Sequence, residues 1–223
     1  MKTFTAVSRR AALALTAAAA MTFAGAGAAS ASQATEAYVQ SNAQSVLTSL
    51  GTAKNADERR TQFAALMDKF ADMPRVADFV LGKYARQARA NPALYQQWVA
   101  TFKEYGLAVY EDQLDRYRGQ AITVIPGSQD TVINGRNYSV VKSQIKQKNG
   151  QPFLVNWRLL QTGDTWRVVD VALKLDESVI WLAIQQQQDL LAQLDRNGGD
   201  ITKLIENVKG QTAQMRARIA ARS

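Results

Sequence analysis

The 223-residue chain contains no cysteine and no histidine. Those absences exclude a Ser-His or Cys-His nucleophile, a histidine general base and a zinc site of the Cys/His type. No disulfide can form, so stability must come from packing. Proline is scarce, with 4 residues, while 47% of the chain is apolar, the composition of a globular body rather than a disordered one. The length suits one domain of ordinary size.

Charge is missing locally as well. Met1 to Arg10 carries Lys2, Arg9 and Arg10 without an acid, and Ala11 to Ala29 is an uncharged, alanine-rich run of 19 residues. Ala29-Ser30-Ala31 then offers small residues where a signal peptidase reads them. This is the order of a bacterial secretory signal, with cleavage after Ala31 and a mature domain over 32–223. A membrane anchor is the rival reading, but alanine and glycine are weakly apolar and the small-residue exit favours cleavage. The pair Arg9-Arg10 after Ser8 lacks the Phe and Lys of a full twin-arginine signal. After Ala31 no uninterrupted apolar run approaches about eighteen residues, so a soluble periplasmic protein is expected.

Removing the signal leaves 24 basic against 19 acidic residues, a formal charge of +5 in place of +8. That excess suits transient contact with anionic membrane surfaces. The basic residues are scattered among acids, so no nucleic-acid partner is expected.

Helical spacing runs through 33–50, where Gly51 reads as a C-cap, and through 55–72, opened by Asn55 and Glu58. A third helix starts at Pro74 and continues through Val76, Phe79, Val80 and Tyr84. A fourth opens at Asn91-Pro92 with a strongly aromatic face of Tyr95, Trp98, Phe102, Tyr105 and Tyr110. From Gln120 the texture changes. Short β-branched runs are separated by Pro126-Gly127, Asn134-Gly135, Asn149-Gly150 and Gly163-Asp164, which predicts an antiparallel meander of about four strands. Two helices close the chain, one from Asp176 to Leu194 with a solvated Gln185 to Gln188 patch, the other from Asp200. Helices segregated around an antiparallel sheet make an α+β fold, with about six helices around the sheet.

Few motifs carry chemistry. Leu81-Gly82-Lys83 is not a phosphate loop, because Ala77 stands where a glycine is needed and Tyr84 replaces Ser/Thr. Glu111-Asp112 and Asp176-Glu177 are sequence neighbours that diverge on a helix. Asp170, between Val169 and Val171, is a candidate general base, weighed against a hydrogen-bonded structural acid. Arg216, Arg218 and Arg222 either touch anionic lipid or complement the last helix's C-terminus. No catalytic residue and no metal site is assigned.

Several segments together resemble a known family. They are Phe70-Ala-Asp-Met-Pro-Arg-Val-Ala-Asp-Phe-Val-Leu-Gly-Lys-Tyr84, Phe102-Lys-Glu-Tyr-Gly-Leu-Ala-Val-Tyr110 with Tyr117, Asn156-Trp-Arg-Leu159 and Thr165-Trp-Arg-Val-Val-Asp-Val171. In order, they are similar to MlaC-type periplasmic proteins, the toluene-tolerance auxiliary family. The chain departs at Ala85, where the family often has Trp or Arg, and at Gln185 to Gln188, where many members carry Tyr-Arg and an aromatic. The resemblance implies a curved sheet like that of nuclear transport factor 2, with an apolar cavity holding phospholipid tails. It implies a carrier, not an enzyme, with bound phospholipid as cargo and no cofactor. It further implies an inner-membrane ABC transporter complex and an outer-membrane lipoprotein-porin complex as partners, and a role in outer-membrane lipid asymmetry.

Burying a methylene is worth about 0.8 kcal/mol, so a tail of about sixteen gains on the order of 10 kcal/mol before entropy losses. Such a site needs apolar walls. Phe79, Tyr84, Trp98, Phe102, Tyr105 and Val109 from helices are expected to face Val141, Val155, Trp157, Val169 and Val171 from strands. Periodicity alone cannot separate a lined cavity from a filled core, which leaves two alternatives: a cone-shaped α+β enzyme for an apolar substrate using Asp170, and a packed, non-binding adaptor.

Overall fold

The computed structural model describes residues 24–114, 117–146, 150–175 and 178–222. Among the described residues five α-helices precede the sheet: α1 Ala24–Thr52, α2 Ala56–Phe70, α3 Met73–Val80, α4 Ala85–Arg89 and α5 Pro92–Leu114. Strands β1 Ile122–Ile133, β2 Arg136–Lys146, β3 Pro152–Thr162, β4 Thr165–Leu175 and β5 Ser178–Trp181 follow, then α6 Leu182–Arg196 and α7 Ile201–Ala220. The basic segment before Ala24 lies outside the described residues. Helix α1 runs continuously through Ala31 and Ser32.

The sheet is a pure antiparallel meander, β1-β2-β3-β4-β5, as the strand alternation and turn signals predict, with one strand more than expected. Asn134 and Gly135 both take positive φ (51° and 71°), the two-residue turn whose twist matches a hairpin. Pro126-Gly127 is not a turn. It sits in a bulge where the β1–β2 register shifts between Ile125 and Gln129, so one long strand replaces two short ones. The extra strand, β5, takes residues expected to begin a helix. Val179, Ile180 and Trp181 pair with Lys174, Leu173 and Ala172, and β-branched and aromatic residues suit a pleated surface.

Period-two alternation turns Val141 and Ile145 of β2 and Phe153, Val155, Trp157 and Leu159 of β3 to one buried face. Two inward serines are satisfied locally: Ser139 pairs with Thr35 at 3.1 Å, and Ser143 accepts from the Trp157 indole at 2.8 Å. Helices α1, α2, α3, α5 and α6 close over that face, and α7 packs against α5.

Over residues 122–128 the exposed edge of β1 is closed by a helix instead of a strand. Glu36, Gln40 and Gln44, one turn apart on α1, take its backbone groups in succession. Gly127 and Ser128 donate to Glu36, Val124 donates to Gln40, and Ile122 donates to Gln44, all within 2.9–3.0 Å. The Gln40 amide donates back to the Ile122 carbonyl at 2.9 Å. An edge so occupied cannot recruit another strand.

Helix three is shorter than expected. Gly82 at φ 49° ends it, with Leu191 packed 3.2 Å from where a Cβ would stand, and a 3-10 helix, Gly82–Tyr84, turns the chain into α4. The glutamine patch is not solvated throughout: Gln186 is buried, and the Gln187 amide donates to the Phe79 carbonyl. Helix α7 is fastened to α5 by Arg216–Glu111 and Arg222–Asp112, and Glu111 also meets Arg59 of α2 at 3.3 Å. Arg216 and Arg222 therefore pair with acids of α5.

Gly51 lies inside α1 rather than capping it. Its backbone meets Gly119, whose N–H donates to the Leu47 carbonyl at 3.1 Å, and a Cβ on Gly51 would stand 3.0 Å from the Gly119 Cα. Gly51→Ala should destabilise the fold by about 1–2 kcal/mol, the backbone clash outweighing alanine's higher helix propensity. Thermal unfolding checks this: the melting temperature should fall, and an unchanged or higher value would show that the two backbones separate freely.

Candidate functional site

Between the buried sheet face and the helices lies an apolar cavity of about 30 Å³. Its helical wall comes from Val46 of α1, Met67 and Phe70 of α2, Met73 and Val76 of α3, and Tyr110 of α5. Its sheet wall is Val155 and Trp157 of β3 with Val168, Val169, Val171 and Leu173 of β4, and Leu182 opens α6 at one end. This volume holds about two waters and no acyl chain. The wall is held tightly shut: Phe70 and Trp157 rings meet at 5.4 Å, and Asp72 N–H donates to the Val168 carbonyl at 2.9 Å, bridging the α2–α3 corner to β4.

A wider cleft of about 300 Å³ adjoins it. Val76, Val169 and Asp170 line both hollows, and Arg75, Phe79, Tyr138 and Arg158 line the cleft alone. The junction is built on a bulge. Arg158 faces Asp170 and Leu159 faces Val168, so Val169 is the extra residue on β4.

Asp170 is buried, and its oxygens are engaged. It accepts from its neighbour Val171 N–H at 2.8 Å, from Ala183 N–H in the first turn of α6 at 2.9 Å, and from Arg158 at 3.3 Å. The α6 N-cap residue, Trp181, provides no side-chain cap, so β4 caps the helix from across the fold. Arg158 in turn lies over the Trp181 ring, 3.9 Å from its centroid. Burial pushes the Asp170 carboxyl above its ordinary range, against the lowering effect of the Ala183 N–H, Arg158 and the Val171 N–H. Burial also raises the Tyr110 hydroxyl, with Asp170 adding to the shift. These bonds give Asp170 a structural part in joining β4 to α6.

The expected wall residues divide. Val155, Trp157, Val169 and Val171 line the cavity, and Phe79 stands 44% exposed on the cleft. Val141 is fully buried opposite Trp157 but not on either hollow. Trp98 is wholly buried, its indole donating to the Ala77 carbonyl at 2.8 Å, and its ring neighbours Phe102, which meets Tyr105. Tyr84 donates to Asp195 at 2.6 Å and packs on Gly199. Val109 is half-buried outside the cavity. Its neighbour Tyr110 faces inward instead, since one residue along a helix turns a side chain by about 100°. The sequence reading missed Val46, Met67, Phe70, Met73 and Val76. Helical spacing turns most of them inward, but no period says which inward face borders a void.

Among the described residues, no group of His, Cys, Asp or Glu could hold a metal ion, and no helix is long and apolar enough to cross a membrane. Fold and site together define an α+β protein with an apolar hollow between its antiparallel sheet and its helices. The chain belongs to the MlaC family: the family described as MlaC protein matches residues 39–210. A phospholipid-binding protein from Ralstonia solanacearum, solved in complex with a phospholipid, shares the fold with a TM-score of 0.67 at 21% identity, over 81% of this chain and 97% of that one. No curated protein matches.

The raised carboxyl of Asp170 has a definite consequence for pH. The folded state holds this proton to higher pH than the unfolded chain, so the stability it contributes is present in acid and lost as pH rises above the ordinary 3.8. Measured by paired thermal melts, wild-type stability relative to Asp170→Asn should therefore fall from acid toward neutrality. A rise over that interval would show that the Arg158 pairing outweighs burial.

Proposed function

We propose that this chain is a periplasmic phospholipid carrier. It takes lipid from one membrane complex and delivers it to another, between an inner-membrane ABC transporter and an outer-membrane lipoprotein-porin complex, and so helps maintain outer-membrane lipid asymmetry. The carrying observation is the apolar cavity between Trp157, Val171 and the α2–α3 corner, in a fold shared with a protein solved with phospholipid bound. The N-terminal signal pattern supports export.

In this reading the 30 Å³ cavity is a closed form. A tail enters only if the α2–α3 corner parts from β4. The polar ties across that seam are few: Asp72 N–H to Val168, and the Arg167 guanidinium to the Asp68 and Lys69 carbonyls at 2.6 and 2.7 Å. Burying a tail of about sixteen methylenes, on the order of 10 kcal/mol, is ample to offset their loss. An enzymatic role would require Asp170 to reach a substrate, yet its oxygens are occupied by backbone N–H groups and Arg158.

Native mass spectrometry of protein purified without added lipid tests the reading, the expected result being co-purified phospholipid. Val169→Trp places a large ring on a half-buried position at the junction of both hollows. That variant should lose most of its lipid while its melting temperature stays within a few degrees of wild type. A lipid-free wild type overturns the carrier reading, and full loading of the variant shows that tails do not lie against β4.

A further inference from the structure

We propose that the cleft beside the apolar cavity is a phosphate-ester site, in which the guanidinium groups of Arg75 and Arg158 hold the phosphate of the bound lipid. The inference rests on the carrier reading and gives its cargo a polar anchor. An amphiphile whose tails pass Val169 into the cavity leaves its glycerophosphate end in the cleft, because the two hollows share Val76, Val169 and Asp170.

The donors are held in place by their own carboxylates. Arg75 gives its Nε–H to Asp72 at 3.1 Å, and Arg158 gives an Nη1–H to Asp170 at 3.3 Å. A guanidinium carries five N–H donors in a rigid fork. Among the described residues these are the bonds each arginine makes, so both keep terminal N–H groups for a ligand. Trp181 fixes the plane of Arg158 from one side. The acids in the wall are already engaged. Asp170 accepts from two backbone N–H groups besides Arg158, and Asp78 accepts from Arg89 and Tyr95. Neither opposes an arriving anion as a bare charge would. The Arg75 and Arg158 side chains are 37% and 31% exposed, so a seated lipid would dehydrate them and strengthen bidentate bonds to phosphate. Phe79 and Tyr138 supply aromatic rims for the glycerol ester region.

The test compares loading of delipidated protein with dioleoyl phosphatidylglycerol and with dioleoylglycerol, which has the same tails and no phosphate, read by native mass spectrometry. Wild type should favour the phosphatidyl lipid by about tenfold or more, and Arg75→Gln/Arg158→Gln should reduce that preference to about twofold while taking up dioleoylglycerol as before. Arg158→Lys, which keeps the charge and loses the fork, should fall between them. Equal preference in wild type and the double variant overturns the proposal. Failure of wild type to load either lipid overturns the carrier reading itself. Titration of lipid-free protein with inorganic phosphate separates the sources: no shift of the arginine side-chain resonances is expected, and saturable shifts would overturn the lipid assignment in favour of a free anion.

Discussion

The arrangement of both hollows depends on one buried carboxylate. Asp170 sits beside the β4 bulge, takes the first-turn N–H of Ala183, holds Arg158 and stands where cavity and cleft meet. Burying a charge without partners is prohibitive, so its position is tolerable only because each oxygen is engaged. In exchange it joins sheet to helix at the one point where α6 has no cap of its own. The bulge that frees Val169 also turns Asp170 inward, and the same local irregularity thus sets both the wall and the latch.

Around that point polar groups at the start of the β1 edge and on the inner sheet face are paired. Over residues 122–128 the side chains of Glu36, Gln40 and Gln44 do for β1 what a neighbouring strand would do, while Ser139 pairs with Thr35 of α1 and Ser143 with Trp157 of β3. The interior that remains is apolar, and close packing is the default state of such an interior. A cavity of about 30 Å³ remains where the α2–α3 corner packs on Trp157. For the proposed carrier, the driving force for opening would be the transfer of cargo methylenes from water.

Charge plays a separate part. The Glu111 cluster with Arg59 and Arg216, and the Asp112–Arg222 pair, bind α7 to the outside of α5, away from the cavity. The arginines at the cleft are arranged otherwise, each steadied by one carboxylate and part exposed. Similar residue types thus serve a buried joint around Glu111 and a part-exposed rim at the cleft, the difference being how much water reaches them.

Composition and periodicity were enough for the α+β class, the meander, the Asn134-Gly135 hairpin and the inward face of β3, because these follow from short-range sterics and from alternation every two or 3.6 residues. The order of the family's segments was legible for the same reason, each being a local pattern. Local pattern could not reveal that Val179 to Trp181 join the sheet, that Gly51 admits Gly119, or that Tyr110 rather than Val109 looks inward. It also could not tell that Trp98 and Phe102 fill solid core while Met67, Phe70 and Val76 border the hollow. Those outcomes depend on which element lies opposite, at separations of tens of residues, and a void is a property of two walls that no single stretch of chain contains.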